Sequence, residues 1–170
     1  MTDNLFGDLD IASAEDNPFY KPDGTYVCEL TGAQLKTSKK GNKGLALDYT
    51  IHRNVDGSES KKGKKIQEWK TIPRPWELKG YHSKEAMDRG VFDTDYDEAQ
   101  IKEAAERNMS FLKQRMKDFG VPVEQMNSVD AEYLLNKTPL LEVTIKNQDG
   151  NERITGVKIH EGDSSSDPFA

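Results

Sequence analysis

Residues 25 to 52 read TYVCELTGAQLKTSKKGNKGLALDYTIH. Residues 25 to 36 alternate in polarity and are rich in Val, Tyr and Thr, the pattern of a strand with one buried face. Gly32 interrupts the run, where a strongly curved sheet needs a bulge or a bend. Residues 45 to 52 form a second strand. Leu45, Leu47, Tyr49 and Ile51 point one way, and Ala46, Asp48, Thr50 and His52 the other. Between the two strands, TSKKGNKG (37 to 44) is a basic loop punctuated by glycine. Cys28 alternates with Tyr26 and Leu30, so it reads as a small buried apolar residue and not as a nucleophile. Tyr26 and Tyr49 share their faces with apolar residues and belong to the core.

Downstream, NVDGSESKKGKK (54 to 65) is a second basic loop, and IQEWKTI (66 to 72) a third strand that Pro73 and Pro75 stop. The period then changes. Ile101, Ala105, Met109, Leu112, Met116 and Phe119 recur at spacings of four and three, which predicts an amphipathic helix. Thr94 and Asp97 resemble a capping box at its start, and Gly120 and Pro122 end it. A short helix is expected over 130 to 136. Residues 139 to 147 and 152 to 160 are two further strands, joined at QDGN by a turn signal.

Three strands, a helical block over about 76 to 136, and two strands predict a mainly β domain with an α insertion. The specific expectation is a five-stranded OB-fold barrel over 24 to 160 with helices between strands three and four. Residues 1 to 23 read as a flexible acidic arm, since the first sixteen hold five acids and no Lys or Arg. Residues 161 to 170, EGDSSSDPFA, read as a disordered acidic tail. No apolar run approaches the length of a membrane span, the N-terminus lacks the pattern of a secretory signal, and a lone cysteine suits a reducing compartment. A cytoplasmic protein is therefore expected.

The formal net charge is −6 over 170 residues, with a mean hydropathy of −0.84. That average conceals a segregation. Residues 34 to 74 hold eleven Lys or Arg against four acids, a net of +7, which leaves −13 for the rest of the chain. Local charge governs local binding, because screening confines a patch to roughly 8–10 Å. The cations are Lys36, Lys39, Lys40, Lys43, Arg53, Lys61, Lys62, Lys64, Lys65, Lys70 and Arg74. Lysine offers a point charge for phosphate and no base code, which points to backbone binding with strong salt dependence. Solubilising lysines in hairpin loops are the plainer reading, and their clustering in an acidic chain argues against it.

Aromatic residues interleave with these cations. Trp69 lies between Gln67 and Thr71 on one face of the third strand, with Ile66 and Ile72 on the other. Trp76 and Tyr81 follow in RPWELKGY, with Arg74 and Lys79 beside them. Rings for base faces and cations for phosphates are what single-strand binding requires. The competing reading has Trp69 and Trp76 pinning the helical block to the sheet. Asp48, on the polar face of the second strand, argues mildly against an anionic ligand there.

The strand order and these segments resemble the OB-fold single-stranded-DNA-binding proteins, particularly small bacteriophage-encoded ones. The residues that carry the likeness are GTYVCELTGAQLKTSKKGNKGLALDYTI, the helix IKEAAERNMSFLKQRMKDFG, and TPLLEVTIKNQDGNERITGVKI. The closing DSSSDPFA looks like the acidic tails of that family, which end in Pro-Phe and recruit replication or recombination proteins. Here Asp163, Asp167, Pro168 and Phe169 would carry that role, but Ala170 follows the phenylalanine, so a grip on the phenylalanine's own carboxylate does not carry over. The resemblance implies a non-enzymatic binder of single-stranded DNA in a phage replication module, acting in the host cytoplasm.

No catalytic pattern competes with this. The three histidines are isolated, no Cys or His pair has metal-ligand spacing, and neither a phosphate-binding loop nor a nucleophile elbow occurs. No cofactor or metal is expected. Two other readings stay open: a protein-interaction adaptor whose acidic arms hold a partner, and an RNA-binding OB domain.

Overall fold

The first strand sets the architecture. In the computed structural model, which describes residues 5, 7–10, 12, 20–58 and 61–161, β1 spans Gly24–Thr37 and β2 Lys43–Asn54. β3 (Lys65–Thr71) completes an antiparallel meander, and β4 (Leu141–Gln148) and β5 (Asn151–Ile159) form a hairpin. β1 is long enough to pair with β2 on one side and β4 on the other, giving one five-stranded sheet in the order β3-β2-β1-β4-β5. The chain is thus mainly β with helices inserted between β3 and β4, and the sheet is not closed.

Gly32, singled out above, and Gly156 both lie at breaks in register. Leu30 pairs with Tyr49 but Gly32 with Asp48, so Thr31 is an extra residue in β1. Thr144 pairs with Gly156 but Ile145 with Ile154, so Thr155 is an extra residue in β5. Each bulge deepens the local twist and curls the sheet. A third break, at His52 in β2, curls it further. The β4–β5 turn is Asp149-Gly150, with both residues at positive φ (53° and 79°), as a two-residue type I′ hairpin requires.

The concave side is the core. Tyr26, Cys28, Leu30, Leu47, Tyr49, Ile51, Ile66, Leu141, Val143 and Ile145 are all buried there. Four helices follow β3: α1 (Pro75–Leu78), α2 (Lys84–Arg89), α3 (Glu98–Asp118) and α4 (Ala131–Lys137). α3 touches both edge strands, β3 and β5. Its last turns and the residues after it place Met116, Phe119 and Val121 into the core, with the Phe119 ring edge-on to Tyr49. The helix therefore covers the gap that the open sheet leaves.

Three expectations change in detail. α3 is capped by Asp97, which accepts from the Gln100 amide at 3.2 Å, and not by Thr94. The Asp93 carboxylate takes the Asp95 amide at 2.9 Å, holding residues 93–96 in a turn that delays the helix. Met109, placed on the apolar face of that helix by its spacing, is exposed, and the buried positions of α3 are Ala105, Arg115 and Met116. Finally, the fastening of the chain begins inside the stretch read as an arm. Lys21 is buried with its ammonium 3.1 Å from Glu152, and Asp23 accepts from both nitrogens of Asn147. Among the described residues, no helix is long and apolar enough to cross a membrane.

Candidate nucleic-acid interface

Strand alternation divides β3 between two environments. Ile66, Glu68 and Lys70 face inward, and Lys65, Gln67, Trp69 and Thr71 face outward. Trp69 pairs with Ala46, and beside it Gly44 pairs with Thr71. A Cβ on Gly44 would overlap the indole, so the ring lies across the glycine. Its N–H donates to the Thr71 hydroxyl at 3.2 Å, which fixes the ring in plane with the sheet. Trp69 remains 41 % exposed. One ring face rests on the sheet and the other is open to a ligand.

Around it, the outer face of β1, β2 and β3 is shallow. Successive cross-strand rows are Lys36–Gly44–Thr71, Gln34–Ala46–Trp69, Gly32–Asp48–Gln67 and, near the far end, Glu29–Thr50–Lys65. Thr31 and Thr50 share a hydroxyl hydrogen bond at 2.8 Å. Small residues leave a floor above which Trp69 stands, and polar side chains line its edges. Gln67 and Thr71 were read from sequence as same-face neighbours of Trp69, but Gln34 and the glycine under the indole were not singled out. Parity within each strand was the available signal, and it needed the pairing register to become a row.

The two lysine loops lie at opposite ends of this face. The β1–β2 loop carries Lys39 and Lys40, both exposed, with Lys36 and Lys43 on the strands that lead into it. Ser38 closes the loop: its carbonyl accepts from the Gly41 amide at 2.9 Å and its hydroxyl from the Asn42 amide at 3.1 Å. Arg74 reaches back from the start of α1 to the Gly41 carbonyl, so the loop is tied to the helical block. Lys61, Lys62, Lys64 and Lys65 sit at the other end, where Lys61 turns the chain at positive φ.

Several residues of the sequence-derived set stand elsewhere. Lys70 faces inward, its ammonium 3.6 Å from Glu68 and 5.6 Å above the Phe111 ring of α3. It shares no surface with Trp69, because one step along a strand reverses the face. Arg53 lies on the outer side but in a structural chain: its guanidinium is 3.3 Å from His160 Nε2, and His160 Nδ1 is 2.9 Å from Glu142. The hydrogen bond from His160 holds the Glu142 carboxyl below its ordinary range. Trp76 is half-buried in α1 where it packs on α3, with the Arg74 guanidinium 5.7 Å over its ring and its N–H fully covered. Tyr81 stacks on Phe92 at 4.3 Å, which occupies one face of its ring. The tail residues Asp163, Asp167, Pro168 and Phe169 lie outside the described residues.

What holds Trp69 outward is the network beneath it. Glu68 accepts two hydrogen bonds from Arg115, at 2.9 and 2.7 Å, and one from the Tyr49 hydroxyl at 2.8 Å. Arg115 also donates to Asp118 at 2.7 Å. Burial and the Glu68 charge push the Tyr49 phenol well above its usual range. Burial is the largest influence on Arg115 and acts to lower it, but the hydrogen bonds and charge of Glu68, with the charges of Tyr49 and Asp118, together leave it raised. A carboxylate so satisfied cannot exchange places with its neighbour, so the register of β3 is locked. Burial also pushes the Cys28 thiol up to about 12, in keeping with a packing role. Among the described residues, no group of three or more His, Cys, Asp or Glu side chains could hold a metal ion.

No model of a known protein family matches the chain, and no curated protein sequence matches it.

Proposed function

We propose that this protein is a non-enzymatic, largely sequence-non-specific binder of single-stranded DNA. The reading rests on one observation: an exposed indole laid flat over Gly44, on an outer sheet face with exposed lysines at both ends. A base stacked on an aromatic ring contributes about 1–3 kcal/mol whatever its identity, and lysines supply the phosphate term. The open sheet of order β3-β2-β1-β4-β5, curled by three bulges and covered between its edges by α3, fits the OB-fold, which commonly serves this purpose. In this proposal the protein serves DNA replication or recombination of a bacteriophage in the host cytoplasm. Its acidic tail, with Phe169 as apolar anchor, recruits partner proteins.

The test is titration with a single-stranded oligonucleotide, following tryptophan fluorescence at two salt concentrations. Quenching that weakens steeply with salt is expected, and Trp69→Phe should remove most of it. Absence of quenching at low salt, or an affinity indifferent to salt, sinks the reading. Deleting residues 162–170 should abolish partner capture while leaving DNA binding intact or tighter. Loss of all binding on that deletion would favour an adaptor instead.

A further inference from the structure

Asp48 is an awkward residue on a face meant for a polyanion. It stands in the central strand of the three, in the row next to Trp69, since Ala46 pairs with Trp69 and Asp48 with Gln67. Among the described residues, no ion pair or hydrogen bond engages its carboxylate. Lys36 and Lys65, the cations of the same face, are not drawn onto it. The carboxylate lies low over Gly32, where a Cβ would come within 2.6 Å of Oδ2. The sheet has therefore made room for it and left it without a partner.

The geometry points to Asp48 as a base-reading group. This rests on the stacking reading above. Diagonal neighbours on adjacent strands sit about 7–8 Å apart, within reach of a base whose ring rests on Trp69 and whose edge extends past it. A carboxylate has acceptors only, so it takes the exocyclic amino group that cytosine offers. Thymine presents two carbonyls around a single imino N–H, and the charge repels both. The same repulsion keeps phosphates off the centre of the face and turns the backbone toward the lysines at its ends. Base edges then point inward, to Asp48 and to the Gln34 and Gln67 amides on either side. Binding remains permissive, with a preference for amino-bearing bases over thymine at the Trp69 position.

The experiment compares oligo(dC) and oligo(dT) of equal length, about twelve nucleotides, on the full chain and on Asp48→Asn. Equal length makes the phosphate contribution common to both and cancels it from the ratio. Asparagine keeps the shape but carries donors as well as acceptors, so it serves either base. The expected result is a fall of about fivefold in the dC/dT affinity ratio on Asp48→Asn. An unchanged ratio overturns the inference, including the case in which both affinities rise together, which would make Asp48 merely repulsive. If neither oligonucleotide quenches the wild-type protein, the stacking reading itself fails. Quenching by both with equal ratios in wild type and variant removes only the role of Asp48.

Discussion

Glu68 and Trp69 are adjacent in β3, and their surroundings invert what hydropathy alone would assign. The carboxylate is buried, and the tryptophan is 41 % exposed. Glu68 is tolerated inside because Arg115 and Tyr49 satisfy it with three hydrogen bonds. Trp69 is tolerated outside because its ring rests on Gly44 and is only partly open to solvent. The inner face of the strand is therefore specified by a charge network with a helix 47 residues away, and the outer face by a glycine on the next strand. A buried pair that fixes register while its neighbour stays available is the arrangement a stacking surface needs.

Breaking the inner side should have the largest effect. Arg115→Met leaves Glu68 buried without its main partner and should lower stability by about 3–5 kcal/mol in urea unfolding. Glu68→Leu combined with Arg115→Met should recover part of that loss, because two apolar groups need no counter-charge; a double variant no more stable than the single would contradict the network account. On the outer side, Trp69→Ala should barely change stability yet weaken oligonucleotide binding by about 1–3 kcal/mol. Comparable losses in both measurements would mean that the ring is packing and not platform.

Gly44→Ala sharpens the contrast further. Its methyl must displace the indole, at a cost of about 1–3 kcal/mol, and the tryptophan emission should shift as the ring leaves the sheet. Unaltered emission would show that the ring does not rest there. The smallest expected effect is that of the loop lysines. Lys39→Ala with Lys40→Ala should reduce the magnitude of the log–log salt slope by about 0.7 for each contact removed, alike for all sequences. A slope unchanged in the double variant would assign these lysines to solubility.

Much of the outer face was legible because β alternation is a local property. Trp69 beside Gln67 and Thr71, and Tyr49 beside Leu47 and Ile51, sorted themselves correctly from a period of two. The same period, applied to Lys70, would have placed it inward with Ile66 and Ile72. Counting it with the other cations by charge alone overlooked that. Arg53 and Trp76 are different cases. Nothing near them in sequence names His160, 107 residues on, or the helix against which α1 packs.

The sequence by itself determined five strands, a helical block between the third and fourth, a bulge or bend at Gly32, and the segregation of charge. Each follows from short-range sterics or from counting. Only the tertiary structure decided which rows cross the strands, which cations are consumed by structural contacts, and why Asp48 stands unpaired beside the indole. Those depend on register and on long-range packing, where side chains distant along the chain compete for the same few ångströms.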